Sequence, residues 1–187
     1  MWRFDAPVRM ISSAPFGGGI GPRCWVLNAN VQSDYSRVDP DAHVHDIASA
    51  LSLSGHGTGM LTAASVRHVQ HTDDNGARVW ATVGLRQPTF AAASDEAAEL
   101  VGTINVVAWL PVALSPAALV NAVTTVAEAK TQALFDCGVP GTGTATDAVV
   151  IACPDDGREE PFGGPRSTWG ARLARAVHTA VRAGARR

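Results

Sequence analysis

The sequence predicts an α/β domain, with α+β as the alternative: a mixed sheet of about five or more strands packed by two long and two short helices. Two observations carry this expectation. Runs rich in β-branched residues and bounded by Gly or Pro stand at Val8–Ser13, Cys24–Val31, Arg78–Leu85, Thr103–Leu110 and Ala148–Cys153. Helical periodicities lie between several of them, which favours helices layered on a sheet over a succession of hairpins. Strand order is not fixed by these signals.

In chain order, the helical patterns are His45–Leu53 and Thr58–Val66, both short, then Ser115–Asp136 and Ser167–Arg182, both long. The third is the best specified. Ser115 is a good N-cap, Pro116 suits the first helical position and Gly138 follows the end. At 100° per residue, Leu119, Val123, Val126, Leu134 and Cys137 fall on one stripe, with Lys130 in its middle. The opposite face carries Asn121, Thr124, Thr125, Glu128 and Gln132, fewer charges than a solvated helix face usually shows, so cover by protein or ligand is an open reading. In the last helix, Trp169 heads an apolar stripe with Leu173 and Val177, and His178 lies on the polar side with Arg175 and Arg182.

The chain of 187 residues carries 15 Lys+Arg and 17 Asp+Glu, a formal net charge of −2. That length fits one domain over residues 1–187, large enough to close a core without disulfides or a structural metal. Its basic cluster, Arg172, Arg175, Arg182, Arg186 and Arg187, is too sparse for a nucleic-acid surface. Three cysteines with no CxxC pair, Cys24, Cys137 and Cys153, read as buried thiols of a cytoplasmic protein. The most apolar stretch, Leu100–Leu114, is too short to span a bilayer and contains Thr103, Asn105 and Pro111, so no membrane insertion is expected. Other compositional shifts, at Gly17–Gly21, Ala91–Ala98 and Asp155–Gly164, are too short for interdomain linkers.

Several motifs invite functional readings. Gly55-His56-Gly57-Thr58-Gly59 is similar to the catalytic histidine stretch of subtilases, but no Gly-Thr-Ser-Met-Ala nucleophile stretch accompanies it, and its glycines are expected to shape the turn into the Thr58–Val66 helix. His43 and His45 form a His-x-His pair without a third ligand at a recognisable spacing, so a surface loop with an acidic N-cap is favoured over a metal site. Gly141-Thr142-Gly143-Thr144-Ala145-Thr146-Asp147 leads into a strand, the reverse of a phosphate loop. Two readings stay open for it: a hydroxyl-lined loop for a polar ligand, or an ordinary Gly-rich turn. Glu128 and Lys130 point to nearly opposite helix faces and cannot pair directly. Lys130 can snorkel, pair with a carboxylate such as Asp147, or sit desolvated with a lowered pKa, the ion pair being favoured. Trp2, Trp25, Trp80 and Trp109 are left between core and flat-ligand platform.

Eight segments in order add a more specific signal. They are Ile11-Ser12-Ser13-Ala14-Pro15, Asn28-Ala29-Asn30-Val31, Gly59-Met60-Leu61-Thr62-Ala63-Ala64, Ala81-Thr82-Val83-Gly84-Leu85, Gly102-Thr103-Ile104-Asn105, Ala118-Leu119-Val120-Asn121-Ala122, Glu128-Ala129-Lys130 and Gly141-Thr142-Gly143-Thr144-Ala145-Thr146-Asp147-Ala148. Together they resemble the adenosylcobinamide amidohydrolase family (CbiZ) from about Ile11 to Val181. The Asp39–His45 and Arg158–Pro161 stretches and His56 depart from it.

The resemblance implies hydrolysis of the amide joining the aminopropanol arm to the corrin ring of adenosylcobinamide, giving adenosylcobyric acid in cytoplasmic corrinoid salvage. The corrinoid is then substrate and no cofactor is implied: the Asp-x-His-x-x-Gly pattern of cobalt-ligating proteins fails, since Asp46 stands at the glycine position after Asp41-Ala42-His43. A corrinoid needs apolar walls and side chains that both donate and accept hydrogen bonds, which Asn30, Asn105, Asn121, Thr142, Thr144 and Thr146 supply. For catalysis the expectation is a water activated by Glu128 or Asp147, with Lys130 setting the carboxylate's charge or supplying a proton, and Asn105 with backbone amides of Gly141–Thr146 holding the oxyanion. A serine nucleophile, Ser12 or Ser13, is less favoured. Rival readings are a non-catalytic corrinoid carrier and an amidohydrolase for a complete corrinoid with a different lower base; a homo-oligomer is left open.

Overall fold

The computed structural model describes residues 1–94 and 102–186. Part of the Ala91–Ala98 stretch, the start of the Leu100–Leu114 run, and Arg187 of the basic cluster lie outside the described residues. The elements are β1 (Trp2–Ser12), β2 (Gly19–Asn30), α1 (Pro40–Ala50), β3 (Gly57–Thr62), β4 (Gln70–Asp74), β5 (Ala77–Gly84), β6 (Thr103–Trp109), α2 (Pro116–Asp136), β7 (Ala148–Cys153) and α3 (Thr168–Ala185). All seven strands join one mixed sheet in the order β3-β2-β1-β7-β6-β5-β4. The β2–β3 and β6–β7 pairs are parallel and the remaining pairs antiparallel. The α/β expectation therefore holds, with three α-helices among the described residues where the sequence suggested four.

Each sheet face buries a different core. Along β6, Ile104, Val106 and Ala108 face α2 and α3, where they meet Leu119, Val126, Leu173 and Val177. A buried side chain of this size contributes roughly 1.5–3 kcal/mol, and small residues such as Ala118, Ala122, Ala176 and Ala180 let the helices approach closely. The alternate residues of the sheet face inward on a second core of Met10, Val26, Met60, Val107 and Val150.

The sheet covers that second core by curling over itself. The β1–β2 register breaks between Arg3 and Val8, where Pro7 cannot donate to the ladder. Before the break, Trp2 packs edge-on to Trp80 at 5.5 Å and Phe4 stacks on Trp109 at 5.9 Å. Asn28 Nδ2 of β2 donates to Thr82 Oγ1 of β5 at 3.1 Å. Thus β2 and β3 lie over β5 and β6, and these tryptophans belong to the core. Helix α1 closes the outer side of β2 and β3, packing Val44 and Ala48 on Trp25 and Leu27.

Three local expectations are corrected. Thr58–Val66 is not a helix: Thr58 to Thr62 lies in β3, and a single 3-10 turn follows at Val66–His68. The glycines there serve close packing, since a Cβ on Gly57 would stand 2.0 Å from the Trp25 ring and one on Gly59 would stand 2.2 Å from Val44 Cγ1. Helix α1 begins at Pro40 rather than His45, so His43 and His45 sit on a helix and not in a loop. The third correction is β4, a polar edge strand absent from the sequence reading, joined to β5 through Asn75 and Gly76 at φ 49° and 93°. The Ser115 cap forms as expected, its Oγ accepting from Ala118 N–H at 3.1 Å, and Ser167 Oγ caps the last helix by accepting from Gly170 N–H at 3.1 Å.

Candidate active site

A cleft of about 460 Å³ opens at one end of the curled sheet. Its walls come from the end of β1 (Ser13, Pro15), the end of β3 (Met60, Leu61, Thr62, Ala63), the segment between β2 and α1, and the starts of β6 and β7. The floor is apolar, from Val31, Met60, Leu61 and Ala148, and hydroxyls of Ser13, Tyr35, Thr62, Thr103 and Thr146 stand around it. That combination suits a large apolar ligand edged with amides.

Asp147 is the cleft's carboxylate, and its oxygens are densely used. Oδ2 accepts from Lys130 Nζ and from Thr144 N–H at 3.1 Å. Oδ1 accepts from the Thr144 hydroxyl and from Ile104 N–H at 2.9 Å. One side chain thereby ties the Gly141–Thr146 loop to α2 and β6. The lysine in the apolar stripe finds the partner that the sequence favoured.

Asn105 lies beneath the cleft at 1% exposure. Its Nδ2 donates to Asn28 Oδ1 at 2.9 Å and to Leu61 O at 2.8 Å, which commits both hydrogens, while Oδ1 is buried without a partner. In this arrangement Asn105 offers an acceptor, not the oxyanion donor expected of it.

Ser12 and Ser13 differ. The buried Ser12 Oγ bonds Thr58 Oγ1 at 2.8 Å and accepts from Ala14 N–H at 3.1 Å. Ser13 is fixed by two backbone-directed bonds to Val149, its N–H donating to Val149 O at 2.9 Å and its Oγ accepting from Val149 N–H at 3.0 Å. The hydroxyl proton of Ser13 is left to donate into the cleft.

The other expected residues are spread around this centre. Asn30 Nδ2 bridges Val31 O and Thr62 O, both at 3.0 Å, at the cleft's edge. Thr146 Oγ1 donates to Gly102 O at 3.0 Å and meets Thr103 Oγ1 at 2.7 Å. Thr142 holds a neighbouring segment, its Oγ1 accepting from Ala91 N–H at 2.8 Å. Asn121 and Glu128 are exposed on α2 and do not line the cleft. The weakly charged face of α2 is partly covered by protein: Thr125 Oγ1 donates to Gly163 O at 2.9 Å.

Sequence reasoning missed Tyr35, Arg37, Thr62 and Thr103 as cleft residues. Thr62 and Thr103 lie inside the family segments and could have been found there; Tyr35 and Arg37 sit where no periodicity marks them. Tyr35 stacks on His43 at 5.5 Å with its hydroxyl 3.1 Å from Nδ1, and burial pushes its phenol pKa up. Arg37 binds both oxygens of Asp39 at 2.9 and 2.7 Å and holds that carboxyl below its usual range.

The sequence pattern of the adenosylcobinamide amidohydrolase family matches residues 1–187. A Methanosarcina mazei protein named adenosylcobinamide amidohydrolase is 28% identical over 181 residues, covering 92% of this chain and 88% of that protein. A Halobacterium salinarum protein of the same name is 36% identical over 188 residues, covering 95% and 80%. No helix among the described residues is long and apolar enough to cross a membrane. With a match across its whole length and two such relatives, the chain belongs to the adenosylcobinamide amidohydrolase family.

Proposed function

We propose that the protein hydrolyses the aminopropanol amide of adenosylcobinamide, releasing aminopropanol and adenosylcobyric acid for cytoplasmic corrinoid salvage. The family match over residues 1–187 carries this reading, and the apolar, hydroxyl-edged cleft supports it. In the reaction, water adds to the amide carbonyl, the C–N bond breaks, and the leaving amine takes a proton.

Of the two carboxylates considered, Asp147 has the place for water activation, since Glu128 lies away from the cleft. Its lone pairs are filled by Lys130, Thr144 and Ile104, so acting as base requires the Thr144 hydroxyl to swing off Oδ1. Lys130 supplies its counter-ion. The free proton of Ser13 serves the developing oxyanion, while the buried Asn105 holds Leu61 of the cleft wall through its Nδ2 bond to Leu61 O. Asn30, Thr144 and Thr146 support the rim that holds the substrate, and Thr142 steadies the neighbouring segment through Ala91.

The test is incubation of the purified protein with adenosylcobinamide, with and without chelator, followed by mass spectrometry for adenosylcobyric acid and free aminopropanol. Product in both arms is expected. Tight binding of the corrinoid without turnover in either arm would replace this reading with that of a carrier.

A further inference from the structure

A second cavity, of about 330 Å³, lies on the outer side of β2 and β3 against α1. Its charge is unlike that of the chain. Arg23, His45 and His56 line it and, among the described residues, no Asp or Glu does, although the protein as a whole carries a net charge of −2.

Arg23 is held half-buried with no carboxylate among its hydrogen-bond partners. Its Nε and Nη2 donate to Gly17 O at 3.2 and 3.1 Å, Nη2 also to Gly18 O at 3.2 Å, and Nη1 to Pro22 O at 2.9 Å. These carbonyls fix the guanidinium but do not neutralise it. Nη1 carries a second hydrogen that these bonds leave free. The rings of His45 and His56 form no hydrogen bond among the described residues, which leaves their nitrogens available to a ligand. Phe16 and Leu53 also line the cavity. Phe16 stacks on Trp25 at 5.8 Å and lies tilted against His45 at 6.2 Å.

A fixed guanidinium with no carboxylate partner among the described residues, lining one cavity with two imidazoles that can donate hydrogen bonds, suits a charged oxyanion, and the apolar side chains of Phe16 and Leu53 suit an organic group attached to it. We infer that this cavity binds a phosphate monoester, its phosphate on Arg23, His45 and His56 and its organic part against Phe16 and Leu53. The site is separate from the cleft and does not rest on the amidohydrolase reading. The two are neighbours along the chain, since Pro15 lines the cleft and the next residue, Phe16, lines this cavity.

The test is an NMR titration of the full chain carrying isotope-labelled histidine with phenyl phosphate, with calorimetry for Kd and with phenol and inorganic phosphate as controls. Phenyl phosphate is expected to shift the His45 and His56 signals and to bind at least about tenfold more weakly to His56→Ala and to His45→Ala, each the loss of one charge-assisted contact. Both histidines are exposed and free of hydrogen bonds, so these variants keep the fold; Arg23→Gln, which also loosens the loop, is read beside them. Unmoved His45 and His56 signals, an unchanged Kd in both histidine variants, or phenol binding as tightly as phenyl phosphate would each overturn the proposal. Inorganic phosphate binding as tightly as phenyl phosphate would overturn the monoester assignment.

Discussion

Lys130 Nζ and Asp147 Oδ2 form an ion pair whose side chains are only 15% and 14% exposed. The lysine leaves an otherwise apolar helix stripe to reach the residue that opens onto β7, and the same carboxylate gathers two bonds from Thr144 and one from Ile104. Away from bulk water such a pair is weakly screened. Its worth lies as much in what either partner would leave behind as in the attraction itself.

Removing the cation is therefore expected to cost more than a surface pair would. Lys130→Met should lower unfolding free energy by about 3 kcal/mol, because the largely buried Asp147 loses its counter-ion. Asp147→Asn should destabilise through Lys130 in the same way, and the double variant should lose less than the sum of the two. Urea denaturation of the four proteins measures this. Additive losses would show that the residues act independently.

Ser13 tests the chemistry of the cleft. If its hydroxyl only steadies the oxyanion, Ser13→Ala should lower kcat by about 10²–10³ with KM little changed. A nucleophile would leave no turnover above background and, in the native enzyme, a covalent acyl adduct visible by mass spectrometry. The first outcome is expected, since no histidine or carboxylate among the described residues is bonded to Ser13 Oγ.

Much of this is legible in the sequence where a single physical rule dominates. The capped α2 announces itself through Ser115 and Pro116, and the Lys130–Asp147 pair through a charge misplaced in an apolar stripe. β3 is hidden because Gly57 and Gly59, which look like turn residues, are small to admit Trp25 and Val44 from elsewhere in the chain. β4 is hidden because its residues, Gln70 to Asp74, carry the polarity of an edge strand, although Asn75-Gly76 is a recognisable hairpin turn. The cleft combines residues from distant segments through the curl of the sheet, which no local pattern encodes. Asn105 stands out in the sequence, but its role as donor or acceptor depends on Asn28 and Leu61, both remote along the chain.

Acid should loosen the β4–β5 hairpin. The Gly76 N–H bond to Asp73, and Arg175 beside Asp74, hold both carboxyls below the usual carboxylate range. A depressed folded pKa contributes stability that is complete above the ordinary value of about 4 and is lost as pH falls through the folded value. Hydrogen exchange in residues 70–84 should therefore accelerate between about pH 4 and lower pH more than exchange in the core of α2. Asp74→Asn should weaken protection at neutral pH and shrink the acid effect; an unchanged pH profile in that variant would detach Asp74 from it.

Two glycine substitutions separate close packing from backbone conformation. Gly57 lies outside the left-handed backbone region, but a Cβ there would fall 2.0 Å from two ring atoms of Trp25, which is itself 3% exposed and pinned by Phe16. The indole cannot retreat, so Gly57→Ala must push β3 off β2, and a loss of about 3 kcal/mol is expected. Gly138, after α2, has φ 69°, and a Cβ there would meet no atom within 4 Å, so Gly138→Ala faces only the left-handed backbone cost of about 1 kcal/mol. Thermal denaturation should rank Gly57→Ala well below Gly138→Ala. Because β3 ends at Leu61 and Thr62 in the cleft, the first variant should also raise KM for the corrinoid while the second leaves it unchanged. Equal melting temperatures would mean that Trp25 can move aside, and that the glycines of β3 do not set the position of the cleft wall.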